Sequence, residues 1–156
     1  MKKLLYILFL GCSLTAVQSC KKDTVEPTPV VVGKWASDYL LTSGFVAPYA
    51  SQNGVKLNPA IYGIQDTYDI KADKTFILTD RSSAVIQSLP GTWEYTGTEL
   101  SLKYNDGSED KLTYDATAAS PQLAFPVVAV SDSLTNPTTK KPELVKFNLQ
   151  LVYTKQ

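Results

Sequence analysis

The chain has 156 residues, 44% apolar and 19% charged, with 15 basic residues against 15 acidic ones and no histidine. That length suits one domain, and the apolar content supports a core, which excludes wholesale disorder. The charge balance argues against a nucleic-acid partner, and the missing imidazole removes Ser-His and Cys-His nucleophile pairs and His-ligated zinc.

Met1-Lys2-Lys3 is a positive start, and Leu4 to Val17 is an apolar run of 14 residues. A membrane-spanning helix needs about 20, so the layout reads as a secretory signal. The residues Val17-Gln18-Ser19-Cys20 put an aliphatic side chain three before a cysteine and a small one just before it. This resembles the lipoprotein box of bacteria. The resemblance implies cleavage before Cys20, a diacylglyceryl group on its sulfur and an acylated new amine. Residues 1–19 are then a signal peptide, and residues 20–32 a lipidated cysteine and flexible tether. Each buried CH₂ of such an anchor contributes about 0.8 kcal/mol. The competing reading is a secreted protein cut elsewhere, with Cys20 a bystander thiol. Loss of Lys2 and Lys3 with the leader leaves a formal charge of −2. Cys12 leaves with it, so no intramolecular disulfide is expected.

Ser19-Cys20-Lys21-Lys22-Asp23 resembles the start of mature lipoproteins of the Bacteroidetes group. Some of these use a lysine and acidic residues after the cysteine as a surface-export signal. Here Asp23 is the one acid in that window. The expected location is the outer membrane, facing either the periplasm or the outside. Glu26-Pro27-Thr28-Pro29 makes the following tether extended, at about 3.1 Å per residue.

Gly33-Lys34-Trp35 opens the first expected strand, with Trp35, Ser37, Tyr39 and Leu41 on one face. Thr42 to Gln65 does not alternate and holds Gly44, Pro48, Asn53-Gly54, Asn58-Pro59 and Gly63. It reads as a long excursion with one short helical turn, capped by Asn58 with Pro59 first. It acts either as a lid over an apolar cavity or as a plug packed on the barrel's outside or end. Thr67 to Lys71 and Thr75 to Thr79 form a hairpin turning at Ala72-Asp73-Lys74. Ser83 to Leu89 reads as a further strand, with Pro90-Gly91 as a turn. Then come Gly91 to Thr96, Thr98 to Tyr104 and Asp110 to Tyr114, three antiparallel strands with turns at Gly97 and Asp106-Gly107. Trp93 and Tyr95 share a face there, as do Leu100, Leu102 and Tyr104, and Leu112 and Tyr114.

Gln122 to Val130 is a strand that Pro126 interrupts. Ser131 to Pro142 reads as a loop. Leu144 to Tyr153 closes the chain, with Val145, Phe147, Leu149, Leu151 and Tyr153 on one face. The expected fold is all-β, an antiparallel up-and-down barrel of about eight strands over residues 33–156.

Three motifs recur in order: Gly33-Lys34-Trp35, Asp73-Lys74-Thr75-Phe76 and Gly91-Thr92-Trp93. Together they resemble the lipocalin-like domains of Bacteroidetes lipoproteins. In lipocalins proper an arginine near the last strand packs over the first tryptophan; here that strand offers Lys146 and Lys155. The resemblance implies a non-catalytic barrel and a small apolar ligand. Its aromatic contacts would come from Trp35, Tyr39, Phe45, Tyr49, Tyr62, Tyr68, Phe76, Trp93 and Tyr95. Simple core filling is the competing role of both tryptophans.

Carboxylate pairs are the remaining catalytic option. Asp66 and Asp69 point to opposite faces of a strand, and Glu109-Asp110 sits at a turn. No cofactor or metal is expected; Asn105 to Asp110 is short of a calcium loop. The expected function is therefore a lipid-anchored lipocalin-like barrel that binds a small apolar ligand. The alternative is an envelope interaction module with a filled barrel acting through loops such as Ser131 to Pro142. A carboxylate-dependent hydrolase ranks below both.

Overall fold

A computed structural model of the chain describes residues 27–156; the leader, Cys12, Cys20 and the start of the tether lie outside the described residues. Ten strands follow one another: β1 (Gly33–Ser43), β2 (Lys56–Leu57), β3 (Asp66–Ile70), β4 (Thr75–Asp80), β5 (Gln87–Thr96), β6 (Glu99–Tyr104), β7 (Glu109–Asp115), β8 (Gln122–Ala124), β9 (Val128–Thr135) and β10 (Pro142–Lys155). Eight of them close a ring in the order β1-β3-β4-β5-β6-β7-β8-β10, and β10 returns to β1. Every neighbouring pair is antiparallel, so the protein is an up-and-down barrel with two extra strands.

The alternating stretch at the middle of the chain is β5-β6-β7. Tyr95 sits opposite Leu100, and Leu100 opposite Leu112, so one row of apolar side chains crosses three strands. The turns lie where positive φ is needed: Gly97 has φ 76° and Gly107 φ 89°. Inside the ring Trp35, Tyr68, Phe76, Trp93, Leu100, Leu102, Leu112, Leu123 and Tyr153 are all 2% exposed or less. Each such side chain stabilises the fold by roughly 1.5–3 kcal/mol.

Four expectations need correction. Pro90-Gly91 is not a turn: both lie within β5, facing Ile77 and Phe76 of β4, and β5 begins at Gln87. Proline normally weakens an interior strand because it lacks an N–H. The Pro90 carbonyl still accepts from the Asn105 amide at 3.2 Å, and the missing side chain of Gly91 makes room for the Phe76 ring. Second, β1 does not keep one inward set. Its register with β10 shifts between Ser37 and Tyr39, a bulge with Asp38 as the extra residue. Past it Leu40 and Thr42 share a face with Leu151 and Leu149, while Tyr39 sits beside Val152 on the other face. Third, Ser131 to Thr135 is not loop but the second half of β9, paired with Pro142 to Lys146. Fourth, Asp110 is not solvated at a turn; it accepts hydrogen bonds from Tyr68 and Tyr104.

β9 is in effect the continuation of β8. Ala124 faces Val152 and Val128 faces Leu149, with Phe125-Pro126-Val127 breaking the run between them. This strand, β10 and the end of β1 therefore outgrow the ring. With β2, they form a four-stranded sheet, β2-β1-β10-β9, projecting beyond one end of the barrel.

Candidate functional site

The two ends of the barrel differ in construction. At one end the chain enters from the tether. Val31 is fully buried there, and its carbonyl accepts the Trp35 indole N–H at 2.8 Å. The Val30 carbonyl accepts from Lys155 Nζ at 3.0 Å, and the same ammonium lies 5.4 Å from the centre of the Trp35 ring. The last strand thus does put a cation over the first tryptophan, and it is Lys155 rather than Lys146. Trp93 closes the same end, its indole N–H donating to the Lys71 carbonyl at 2.8 Å and Lys74 Nζ standing 3.9 Å over its ring. Each contact of this cation–π kind contributes about 0.5–1 kcal/mol where water reaches it. The tight turns at Asp73 and Gly97 lie at this end too.

The other end carries the projecting sheet and the long excursion. Beneath it lies a polar cluster. Tyr104 donates to Asp110 Oδ2 at 2.6 Å, Tyr68 lies 3.1 Å from both that oxygen and the Tyr104 hydroxyl, and Tyr153 donates to Asp66 Oδ2 at 3.2 Å. Burial pushes all three phenols well above their ordinary pKa, and neighbouring phenols or carboxylates reinforce it. These hydroxyls therefore stay protonated, with the two aspartates as their acceptors. Burial also raises Asp66 above the usual carboxylate range; the Tyr153 hydroxyl pulls it down, and Asp80 and Asp110 push it up. Asp80, opposite Asp66 in the β3–β4 ladder, is held low by its bonds from Ser82.

A carboxyl raised on folding stabilises the native state where it is protonated, and that contribution fades as pH rises through its folded pKa. Asp66→Asn should therefore raise the melting temperature at pH 7 and leave it nearly unchanged at pH 3. Equal losses at both pH values, measured by circular dichroism, would contradict this.

The aromatic residues expected to line a ligand do not gather into one site. Trp35, Tyr68, Phe76 and Trp93 are packed in the barrel interior, where they fill the space between the strands. Tyr68 tilts against Phe76 and Tyr153 with ring centres 6.1 and 5.1 Å apart. Tyr95 is half-buried at the tether end, 6.2 Å from Tyr114, and bonds to the Gly97 carbonyl. Tyr39 faces away from the interior, under Lys56 Nζ at 3.9 Å. Tyr62 is exposed on a short 3-10 turn, Pro59–Tyr62, whose cap is Asn58 accepting from the Ala60 amide. Phe45 and Tyr49 lie in a second apolar cluster, on the projecting sheet, with Val145, Leu134 and Phe147. Phe45 stacks on Phe147 at 4.4 Å. The Tyr49 hydroxyl is buried without a hydrogen-bond partner, and burial, then Glu143, pushes it up to about 12.

The excursion is thus a cover, but over the projecting sheet and not over a cavity in the ring. Asn53 ties it down, exchanging bonds with Phe45 at 2.8 and 2.9 Å, and the Thr42 hydroxyl bonds to the carbonyls of Gln52 and Val55. Its cover stops short of the bend where sheet meets barrel. There an apolar groove of about 350 Å³ stays open, lined by Leu40, Leu149 and Leu151 on the floor and by Phe125, Pro126, Val128 and Val130 on the wall. The alternation of β10 signalled the floor, and the expected strand from Gln122 to Val130 holds the wall; what the sequence did not signal is that the two lie side by side. A second, polar hollow of about 330 Å³ lies between the 3-10 turn and the barrel, with Ser37, Thr67 and Arg81 among its walls.

Large apolar side chains left in water crowd the same end. Val46, Ile61 and Tyr62 on the excursion, Val85, Ile86 and Leu89 around the β4–β5 connection, Val127 in the break before β9, and Val128 and Leu144 on the projecting strands are all exposed. At the tether end only Val30 joins them among the described residues.

No protein-family model, no curated protein and no solved structure matches the chain.

Proposed function

We propose that the protein is a lipid-anchored lipoprotein of the bacterial outer membrane, a non-catalytic lipocalin-like barrel that works as an interaction module through the end away from its tether. The carrying observation is the polarity of its surface. The tether end is sealed by Val31, Trp35 and Lys155, while the exposed apolar residues collect at the opposite end. Single exposed apolar side chains are ordinary, but a collection at one end marks a contact surface. The lipoprotein box supplies the anchor. A stretch of 11 residues from Cys20 to Val30, at about 3.1 Å each when extended, holds the sealed end toward the bilayer and the apolar end away from it.

Two measurements test this in a bacterial host. Cys20→Ser should lose incorporation of labelled palmitate and leave the detergent phase. Photocrosslinking side chains at Ile61 and Val85 should give a discrete adduct that disappears in the Cys20→Ser background, while the same group at Thr98 gives none. Adducts of equal yield from both ends would sink the reading. A Cys20→Ser form that still carries palmitate would remove the anchor from it.

A further inference from the structure

The projecting sheet has two edges, and they are finished differently. On one side β2 is only Lys56–Leu57, followed by Asn58-Pro59, so little ladder is left open. On the other side β9 runs eight residues, Val128–Thr135, with no strand beyond it. It holds neither proline nor lysine, and its one charge is Asp132. We propose that this edge takes up an extended segment of a partner protein as an added antiparallel strand, reading basic-x-apolar-x-apolar. The inference names the partner contact of the interaction module above and rests on that reading.

The ladder shows which groups stand at the edge. The Asn136 amide donates to the Lys141 carbonyl at 2.8 Å, in the register that pairs Leu134 with Glu143 and Val130 with Phe147. Alternate residues of an antiparallel strand turn their N–H and C=O groups to opposite sides. Val128, Val130, Asp132 and Leu134 therefore bond to β10, and Ala129, Ser131, Ser133 and Thr135 turn their backbone groups outward. Of these groups, among the described residues, only the Ser133 N–H has a partner, Asp132 Oδ1 at 2.7 Å. Donors and acceptors at strand spacing are matched by another extended main chain. A hydrocarbon has no such groups, and a helix has already bonded its own.

The side chains set the order of the segment. Val128, Val130 and Asp132 share one face, at positions that do not bond to the added strand, where facing side chains come closest. Val128 is 58% exposed. Asp132 lies opposite Val145 and belongs to neither ion pair found among the described residues. An arriving strand thus places a lysine or arginine opposite Asp132, and apolar side chains opposite Val130 and Val128.

Geometry disfavours two nearer occupants. Pairing β9 with β9 of a second copy needs a two-fold axis normal to the sheet. That axis reverses the barrel and sends the two tethers to opposite sides, so two copies anchored in one bilayer do not meet this way. The protein's own tether leaves beside Lys155, at the other end of β10.

The test uses the non-acylated protein from Lys21, whose apolar core lies wholly within residues 31–153. Amide exchange is followed by NMR with two blocked heptapeptides, Thr-Lys-Thr-Val-Thr-Val-Thr and the same chain with glutamate for lysine. In the free protein the Ala129 and Ser131 amides should exchange fast at every protein concentration. The lysine peptide should slow Ala129, Ser131 and Ser133 about tenfold or more, and leave Thr135, beyond its end, unchanged. The glutamate peptide should bind about fivefold more weakly, and Asp132→Lys should reverse that order. Ser131→Pro removes an outward N–H without touching the β10 ladder and should weaken the lysine peptide about tenfold; Ser131→Thr, which keeps the N–H, should not. Unchanged amide shifts at Leu100 and Leu102 check the fold of each variant. Ala129 and Ser131 amides that stay fast with both peptides overturn the inference, and so does equal affinity for the two. So do amides already protected without peptide, whether independently of protein concentration, the mark of the protein's own tether, or in step with it, the mark of a second copy. Unprotected edge amides beside intact Ile61 and Val85 adducts in the host would remove this strand site and leave the interaction reading standing.

Discussion

Trp35→Ala should cost about 3–5 kcal/mol, a large part of a small domain's margin. Trp35 is fully buried and spans the tether end of the barrel, edge-on to Tyr114 at 6.2 Å. Its removal opens a cavity that rigid β-ribbons cannot collapse. It also leaves the Val31 carbonyl without its indole donor, so the plug formed by Val31 loosens. Trp35→Phe separates the two effects. The ring is largely kept, and the cost should fall to about 1–3 kcal/mol for the unpaired carbonyl. Urea unfolding read from the remaining Trp93 measures both. A loss under 1 kcal/mol for Trp35→Ala would mean that the barrel end is held by something else.

Most of the ring was legible in the sequence because strands of an antiparallel barrel with one wet face alternate strictly. Trp93, Leu100, Leu102 and Leu112 announce both their strands and their pairing, and Gly97 and Gly107 announce the turns. The cap of Asn58 on Pro59 was equally local and was readable for the same reason. Two things were not local. The bulge at Asp38 exchanges the two faces of β1, and nothing in Ala36-Ser37-Asp38-Tyr39-Leu40 distinguishes a bulged strand from a straight one. The extension of β9 into Ser131-Asp132-Ser133 has the composition of a loop, and only its pairing with β10 makes it strand.

The candidate site was hidden by the same limits. Aromatic residues are strong ligand signals in sequence, yet here the largest of them are what fills the ring. The groove is made of Leu40, Val128, Val130, Leu149 and Leu151, aliphatic residues that any strand would carry. What turns them into a site is the misfit between strand lengths, since β9 and β10 continue where the neighbours of the ring have ended.

Gly91 is where the barrel tolerates least. It sits mid-strand in β5, opposite Phe76 on one side and Tyr104 on the other. A methyl group there would stand 2.2 Å from the Lys103 carbonyl oxygen and 2.6 Å from the Phe76 ring. The ring can turn aside, but the carbonyl belongs to the backbone of β6 and cannot. Gly91→Ala should therefore cost at least about 3 kcal/mol, the top of the range for overpacking. Adding Phe76→Ala should not restore stability, because the clash with Lys103 persists and a cavity is added. Gly97→Ala provides the contrast. Nothing lies within 4 Å of its added methyl, but φ is 76°, so the cost is left-handed strain of about 1–2 kcal/mol. If thermal unfolding ranks Gly97→Ala as the worse of the two, β5 and β6 are not paired closely at Gly91, and the continuous strand from Gln87 to Thr96 is wrong.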